Sequence, residues 1–439
     1  MRAVVLGAGL TGLVAAERLA AAGCPAPVLE RAREPGGACR SIARDGFVFD
    51  HTGHLLHVGR PETEAYLESL GVWSRLAVHE RRAGIRIGDE VTPYPIQIHT
   101  HGLAPEVRRD CVLGFVRAWA GAPGNTPGSF REWVLERFGE GFARHFFFPY
   151  NRKLYRAEPE ELSLDWVGRY VPKPGLEEVL DGAFGLHRGR VGYNAVFRYP
   201  LEGGIGMLPD AVASRVPELR LGVAATSLCL AERWLETSGG ERVPFGRLLA
   251  TIPLPTLVDL VVDHLPEPVA AARRALRWVS VLNLALGVSG PAPRPEHWLY
   301  LPDEGLVAYR VGFPSNHGRL APSGCHTVSL EVSLDPGADG PADAVASAAE
   351  RELAALGWLE PSQVQVRQVT VLDPAYVVFD HARRDAVATL RRWLGEADVR
   401  LAGRWAEWKY SAMEDAVLDG MAAARVLSGT AGGWSTGRG

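Results

Sequence analysis

The residues of this chain whose types and spacing could do chemistry begin almost at once. Gly7-Ala8-Gly9-Leu10-Thr11-Gly12 is followed, eighteen residues beyond Gly12, by Glu30. Gly7 permits a tight turn, Gly9 lets a pyrophosphate approach the backbone, and Gly12 lets a helix pack closely on a strand. Free amides and the positive dipole end of that helix would then face the phosphates. An acid at the end of the second strand can accept a hydrogen bond from a ribose hydroxyl. Directly after it, Arg33-Glu34-Pro35-Gly36-Gly37-Ala38-Cys39-Arg40 offers further amides and positive charge. That is more than the adenosine half of a nicotinamide dinucleotide needs. A third group, His51-Thr52-Gly53-His54-Leu55-Leu56-His57, spaces three histidines by three. Such spacing binds metal on a helix, but the glycine and the preceding apolar strand argue against a helix, so no metal site is expected.

These residues require particular elements to position them. The apolar run before Gly7 reads as a buried parallel strand. Thr11 to Ala22 reads as a helix, with Leu13, Ala16, Leu19 and Ala20 on one face. Residues 60 to 170 read mostly as helix: Glu62 to Leu70, Pro105 to Trp119, Ser129 to Phe138 and Phe142 to Phe148. Between them, Ile85 to Ile87 and Val91 to Ile98 read as short strands or extended loop. Strand signals return at Phe197-Arg198-Tyr199 and at 219–223, and 247–252 resembles a strand returning to the nucleotide sheet. Val279 to Val288 and Thr327 to Val332 suggest a second, mainly antiparallel sheet. Residues 399–403 and the helix Asp415 to Leu427 would close on the cofactor, ahead of a Gly-rich tail. The expected fold class is α/β: a Rossmann-like dinucleotide domain built from 1–75, 195–260 and 375–439, with two insertions. Residues 76–194 would form a mainly helical substrate domain and 261–374 an antiparallel-sheet substrate domain.

The glycine fingerprint, Glu30 and Gly36-Gly37-x-x-Arg40 resemble the opening of flavoprotein oxidases and their relatives, which bind FAD. On that resemblance Gly7, Gly9, Leu10, Thr11, Gly12, Glu30, Arg31, Gly36, Gly37 and Arg40 would hold the cofactor, and a Gly53-His54 loop would sit against the flavin. Three aromatic, polar segments narrow it further: Thr92-Pro93-Tyr94-Pro95-Ile96-Gln97, Phe146 to Tyr155 with its Pro-Tyr-Asn-x-Lys, and Asn194-Ala195-Val196-Phe197-Arg198-Tyr199-Pro200 leading to Gly203-Gly204-Ile205-Gly206. In this order they resemble UDP-galactopyranose mutases, particularly the eukaryotic-type branch, in scattered motifs over nearly the whole chain. Trp298 to Pro302 with Tyr309-Arg310, and Gly403-Arg404-Trp405-Ala406-Glu407-Trp408-Lys409-Tyr410 with Met413-Glu414-Asp415, extend the match.

The resemblance implies an isomerase with no net redox change. Reduced flavin N5 attacks the anomeric carbon of a nucleotide sugar, expels the nucleoside diphosphate, and lets the ring reclose as a furanose. It implies that Arg310, Arg404, Tyr300, Tyr410 and Asn194 hold the diphosphate, as guanidinium forks and hydroxyl donors would. Tyr94, Gln97, Phe146, Asn151 and Tyr155 would hold base and ribose. His54, Gly53, Gly206, Gly403, Arg404, Met413, Glu414 and Asp415 would lie at the flavin. Three departures separate this chain from the eukaryotic-type pattern. Tyr155 stands where those enzymes have tryptophan, and His317 stands where they have another phosphate-binding tyrosine. Either Arg169 takes the role of a family arginine, shifted by one residue, or Tyr170 stands in its place. Changes of this kind around one pocket are enough to alter the preferred substrate, so it need not be UDP-galactose, and a GDP-linked or deoxy hexose is a serious option. The rival reading is a flavin oxidase or desaturase of the amine-oxidase or protoporphyrinogen-oxidase type, which shares the N-terminal fingerprint.

Bulk properties exclude other classes. A net charge of −4 over 439 residues lacks the basic face of a nucleic-acid binder. There is no run of about 18 apolar residues to span a membrane, and Glu17 and Arg18 interrupt the N-terminal apolar stretch where a signal peptide would need continuity. Five cysteines, scattered and without a C-x-x-C pair, suit a reducing cytoplasm. A nicotinamide coenzyme is a candidate reductant, although the sequence carries no second dinucleotide fingerprint for it.

Overall fold

The computed structural model describes residues 3–121, 126–168, 170–187, 195–337 and 342–429. Two of the expected site residues, Arg169 and Asn194, lie outside these, as does the C-terminal tail from residue 430.

The apolar segments Ala3–Leu6, Val28–Glu30, Leu219–Leu221, Arg247–Ala250 and Val399–Leu401 form one parallel sheet. Its order is Val399–Leu401, Arg247–Ala250, Ala3–Leu6, Val28–Glu30, Leu219–Leu221, so segments some four hundred residues apart share one sheet. Val4, Val5, Leu248 and Leu249 are fully buried within it, as expected where helices cover both faces. The helix Leu10–Ala21 packs along Met413–Ser428. A side chain at Gly420 would come within 2.6 Å of the Thr11 carbonyl, so glycine is what lets these two helices close on each other.

A second, seven-stranded sheet runs in the order Val364–Val377, Trp278–Ser289, Cys325–Leu334, Arg310–Gly312, Trp298–Tyr300, Ala83–Ile87, Glu90–Pro93. All its pairings are antiparallel except that of Trp298–Tyr300 with Ala83–Ile87. Two of its strands come from residues 83–93, inside the segment read as mainly helical. Their alternation is too short to show on its own, and only the partner strand at 298–300 completes it.

Helices Pro105–Ala120, Phe130–Phe142, Phe148–Tyr155 and Leu176–Phe184 fill most of the rest of that segment. Residues 143–147 form a π-helical turn leading into Phe148–Tyr155. Such turns recur at functional sites because they rotate the side chains beyond them relative to the preceding helix.

Candidate functional site

The dinucleotide cradle is set by local geometry. Gly7 adopts φ +104, and a side chain at Gly12 would meet the Gly7 carbonyl at 2.0 Å, so turn and helix can approach only with glycine at both positions. At Gly9, by contrast, a side chain would meet nothing within 4 Å, and Gly9 caps the N-terminus of the helix. This is the open, amide-lined surface a pyrophosphate requires. Glu30 accepts hydrogen bonds from the Ala8 amide at 2.8 Å and the Ala32 amide at 2.9 Å, which fix its carboxylate at the end of its strand. Each oxygen keeps a lone pair for a ribose hydroxyl. Gly36 donates its amide to the Ala8 carbonyl at 2.8 Å, and Arg40 Nε holds the Gly37 carbonyl at 3.0 Å, so the second glycine pair is docked beside the first. Arg31 is exposed nearby.

The late segment closes over the same cradle. Gly403 has φ +81, and a side chain there would lie 2.6 Å from Thr11 Oγ1. Met413 is buried in the first turn of the last helix. Glu414 accepts from the amides of Gly59 and Arg60 at 2.9 and 2.8 Å, and Asp415 caps the amide of Ala412 at 2.8 Å. Gly206 donates to Ser41 Oγ at 2.8 Å, next to the half-buried Asp50. Glu414, Asp415 and Gly206 thus shape the cradle through internal bonds.

Strand register builds the second half of the site. Tyr300 pairs with Arg310, Arg310 with Glu331, and Glu331 with Asn283. Directly opposed residues share a face of a sheet, so four polar side chains from four strands stand in one row. This row grips the Gly53–His54 loop. Asn283 Nδ2 donates to the carbonyls of Asp50 and His51 at 3.2 and 3.0 Å, and the Gly53 amide donates to Glu331 Oε1 at 3.3 Å. Arg310 Nη2 donates to the same carboxylate oxygen, while the Tyr309 hydroxyl donates to the other at 2.5 Å. Burial would raise the Glu331 carboxyl, but the Arg310 charge and these bonds hold it below the usual carboxylate range. A side chain at Gly53 would touch Arg310 Nη2 at 2.7 Å, so the loop and the guanidinium are in contact. His54 is pushed down to about 4 by burial, reinforced by the charges of Arg404 and Arg310, and is neutral at pH 7.

Arg404 lies among aromatic faces, with its guanidinium carbon 5.2 Å from the ring centre of Tyr376, 4.9 Å from Trp405 and 5.1 Å from Tyr410. It donates to the carbonyls of Ser411 and Ala375 at 3.2 and 3.1 Å, and its buried Nε has no partner among the described residues. Tyr376 is within electrostatic reach of both Arg310 and Arg404, and burial raises its hydroxyl to about 12. A protonated phenol between two guanidinium groups is a neutral donor suited to an anion.

Tyrosines continue outward from this point. Tyr300 lies 5.3 Å, centre to centre, from both Tyr94 and Tyr150; Tyr150 stacks on Phe146, and Tyr410 meets Tyr170 edge-on at 4.4 Å. Gln97 is buried, donating to the Pro172 carbonyl at 3.2 Å, while its Oε1 is unpartnered among the described residues. Tyr155 packs on Trp166 and Tyr376. Two expected residues face elsewhere. Asn151 donates its amide to the Phe147 carbonyl one turn back, at 2.7 Å. His317 is enclosed by Tyr199, Phe197, His79 and His297, and burial with the neighbouring histidines holds it well below its usual range. It reaches the rest of the site only across a cavity that Arg310, Gly53 and His54 also line.

Sequence reasoning had not singled out Glu331, Asn283 or Tyr376. Glu331 was visible only as one of several polar residues along its strand, and Asn283 as one polar residue in a mostly apolar strand. Tyr376 follows the Asp373-Pro374 pair near the end of a long strand and carried no motif. Among the described residues there is no cluster of three or more metal-type ligands, and no helix is long and apolar enough to cross a membrane.

Comparison with known proteins agrees with this geometry at two levels. The family model for flavin containing amine oxidoreductases matches residues 10–428. A reduced UDP-galactopyranose mutase superposes with a TM-score of 0.91 at 25% identity, covering 98% of this chain and 96% of that one. Among curated proteins, hydroxysqualene dehydroxylase of Rhodopseudomonas palustris is 42% identical over 79 residues, 18% of this chain and 19% of that protein. The chain therefore matches only about a fifth of that relative's length. Coproporphyrinogen III oxidase of Propionibacterium freudenreichii is 26% identical over 447 aligned positions, covering 88% of this chain and 83% of its own.

Proposed function

The chain belongs to the flavin containing amine oxidoreductase family, and within that family we propose that it is a nucleotide-sugar mutase interconverting pyranose and furanose forms of a nucleoside-diphosphate hexose. FAD is its cofactor, and the cradle fits it: an open Gly9 surface at a helix N-terminus for the pyrophosphate and a fixed Glu30 for the ribose. When bound and reduced, the flavin supplies the nucleophile for the anomeric carbon.

The observation that carries the reading is the row Tyr300–Arg310–Glu331 beside Arg404, Tyr376 and Tyr410. A diphosphate that leaves a sugar and later returns must be held throughout by charge and hydroxyl donors, and these are guanidinium groups and protonated phenols. An oxidase acting on an amine or a polyene has no use for them. Arg310, Arg404, Tyr300, Tyr376 and Tyr410 take the diphosphate, together with Asn194. Tyr94, Phe146 and Tyr155 offer flat faces for a base, and the unpartnered Gln97 Oε1 an acceptor for it. Asn151 and His317 join only if their side chains turn, and either Arg169 supplies a further cation or Tyr170 stands in its place. Neutral His54 packs at the flavin without competing for negative charge.

The testing experiment is to offer the dithionite-reduced protein UDP- and GDP-hexoses and separate pyranose from furanose products. Turnover by the oxidised protein at the same rate would sink the mechanism. The curated oxidase relatives favour one rival, an oxidase of porphyrinogens or polyenes. Oxygen uptake with such a substrate, and no furanose from any nucleotide sugar, would establish that instead.

A further inference from the structure

We propose that Lys153 is a positioning residue that registers Tyr300 and Arg310 against the helix Phe148–Tyr155, and so tunes diphosphate binding without touching the substrate. The proposal rests on the mutase reading for its functional consequence.

The segment joining Tyr300 to Arg310 is a surface turn closed by few bonds of its own. Leu301 donates to the Tyr309 carbonyl at 2.9 Å, and Gly305 donates to Asp303 Oδ1 at 2.9 Å. Leu306 donates to the Asp303 carbonyl at 3.2 Å and Val307 to the Glu352 carboxylate at 2.8 and 2.9 Å, and Lys153 Nζ ties the segment to the helix. It donates to the carbonyls of Leu301 at 2.8 Å, Asp303 at 2.7 Å and Ala308 at 2.6 Å. An ammonium has three donors, and all three are spent on this one segment. Leu301 immediately follows Tyr300, and Ala308 precedes Arg310 by two residues, so the staple grips both flanks of the pair.

The helix that carries Lys153 is itself fixed to the same row. One turn earlier, the Tyr150 ring lies 5.3 Å from Tyr300 and 6.3 Å from Tyr309. One residue later, the Leu154 carbonyl accepts from Ser333 Oγ at 2.8 Å, on the strand that carries Glu331. A displacement of this helix is therefore transmitted to the two groups that face the diphosphate. Burial pulls the Lys153 ammonium down to about 8, against the opposing charges of Glu352, Asp303 and Glu304. A bare loop anchor could be apolar; a partly desolvated ammonium with every donor engaged sets geometry.

The test compares FAD-loaded wild type with Lys153→Met and Lys153→Arg. Calorimetry would measure UDP and GDP against uridine and guanosine, and hydrogen exchange would follow residues 299–312. Expected for Lys153→Met is a loss of about tenfold or more in diphosphate affinity, the size of one or two charge-assisted bonds. Nucleoside affinity should stay within about twofold on the same scale, and exchange at 299–312 should rise. Lys153→Arg should recover part of the diphosphate affinity. Unchanged exchange at 299–312 with unchanged diphosphate affinity would overturn the proposal. So would an equal loss of nucleoside and diphosphate, which marks general damage. If Lys153→Met does not fold, Lys153→Arg decides: raised exchange at 299–312 with weakened diphosphate affinity supports the staple, and wild-type exchange and affinity, or altered exchange without altered affinity, rejects it. Wild type that binds neither diphosphate would defeat the mutase reading, while the exchange comparison still decides whether Lys153 fixes the segment.

Discussion

Replacing Glu331 by Gln separates the two things this buried carboxylate does. Its side chain is almost wholly enclosed, and it accepts from Arg310, Tyr309 and the Gly53 amide. Gln keeps the shape but has one acceptor oxygen where Glu has two, so at least one donor loses its partner. Removing one member of a buried ion pair costs about 3–5 kcal/mol. Arg310 retains 18% side-chain exposure and water relieves part of that, so a loss of about 2–3 kcal/mol is expected. The electrostatic effect has the opposite sign for a ligand. With Glu331 present the Arg310 charge is largely compensated; without it, one positive charge faces the site. At roughly 6 Å and an effective dielectric near 20, one such charge attracts a phosphate charge by about 3 kcal/mol. Poorer aim of the freed guanidinium takes back some of this. The expected result is a lower urea midpoint, followed by tryptophan fluorescence, together with UDP or GDP binding about tenfold tighter by calorimetry. Tyr309→Phe, which removes a hydrogen bond but no charge, should lower stability and leave diphosphate affinity near wild type. If Glu331→Gln weakens diphosphate binding in step with stability, Arg310 does not act through charge on the diphosphate, and the reasoning is refuted.

Other perturbations have equally definite outcomes. Arg404→Lys keeps the charge but loses the planar fork and its three aromatic contacts, so diphosphate affinity should fall by about tenfold with flavin content unchanged; a wild-type binding isotherm would remove Arg404 from the clamp. Gly53→Ala places a methyl 2.7 Å from Arg310 Nη2, which must swing away and loosen its pair with Glu331; turnover should drop sharply and the melting midpoint should fall, and wild-type turnover would show that the loop and the guanidinium do not act together. Gly12→Ala drives a methyl to 2.0 Å from the Gly7 carbonyl, so the protein should purify without its yellow cofactor or fail to fold, and a full flavin spectrum would contradict the packing. The pH response follows from His54, held at about 4 against an ordinary 6.5. Above pH 6.5 its contribution to stability is fully present, and it is lost as pH falls toward 4, because the unfolded chain takes the proton first. The amount is about 3 kcal/mol, so His54→Asn should flatten the acid limb of a stability–pH curve, and an unchanged limb would show that His54 is solvated.

Much of this was legible in the sequence wherever contacts are local. The glycine fingerprint, Glu30 and Gly36-Gly37 are separated by a single strand–helix–strand unit, so spacing alone fixes their meeting. The helices 105–120 and 413–428 announced themselves by period. The polar row was not legible. Tyr300, Arg310, Glu331 and Asn283 become neighbours only through strand register, and a slip of one residue would send each to the other face. Periodicity shows that a strand exists but says nothing about its partner. For the same reason residues 83–93 read as loose extended pieces although they complete the large sheet. Asn151 was legible as part of a polar, aromatic segment, yet the π-turn before it directs its amide to Phe147.

That contrast also bears on why the sequence relatives carry oxidase and dehydroxylase names while a mutase superposes over nearly the whole chain. The 42% match to a dehydroxylase covers 79 residues, 18% of the chain. The matches that cover half of the chain or more fall to 22% and 26% identity, too thin to weigh single residues that face the substrate. Cofactor binding is common to an oxidase and to a mutase, so it cannot separate them. What separates them is the charge presented to the substrate, assembled here from single residues on separate strands and from the 403–410 turn. Identity spread so thinly carries little weight in a pairwise alignment, but superposition weighs the placement of every element alike, and there the mutase stands at a TM-score of 0.91. Against an oxidase of a hydrocarbon substrate, the chemical difference is that such an enzyme would have to bury Arg310 and Arg404 against hydrocarbon. Arg404 already has a buried, unpartnered Nε, and an apolar ligand would add desolvation cost with no compensating bond. An anionic ligand turns the same burial into binding energy.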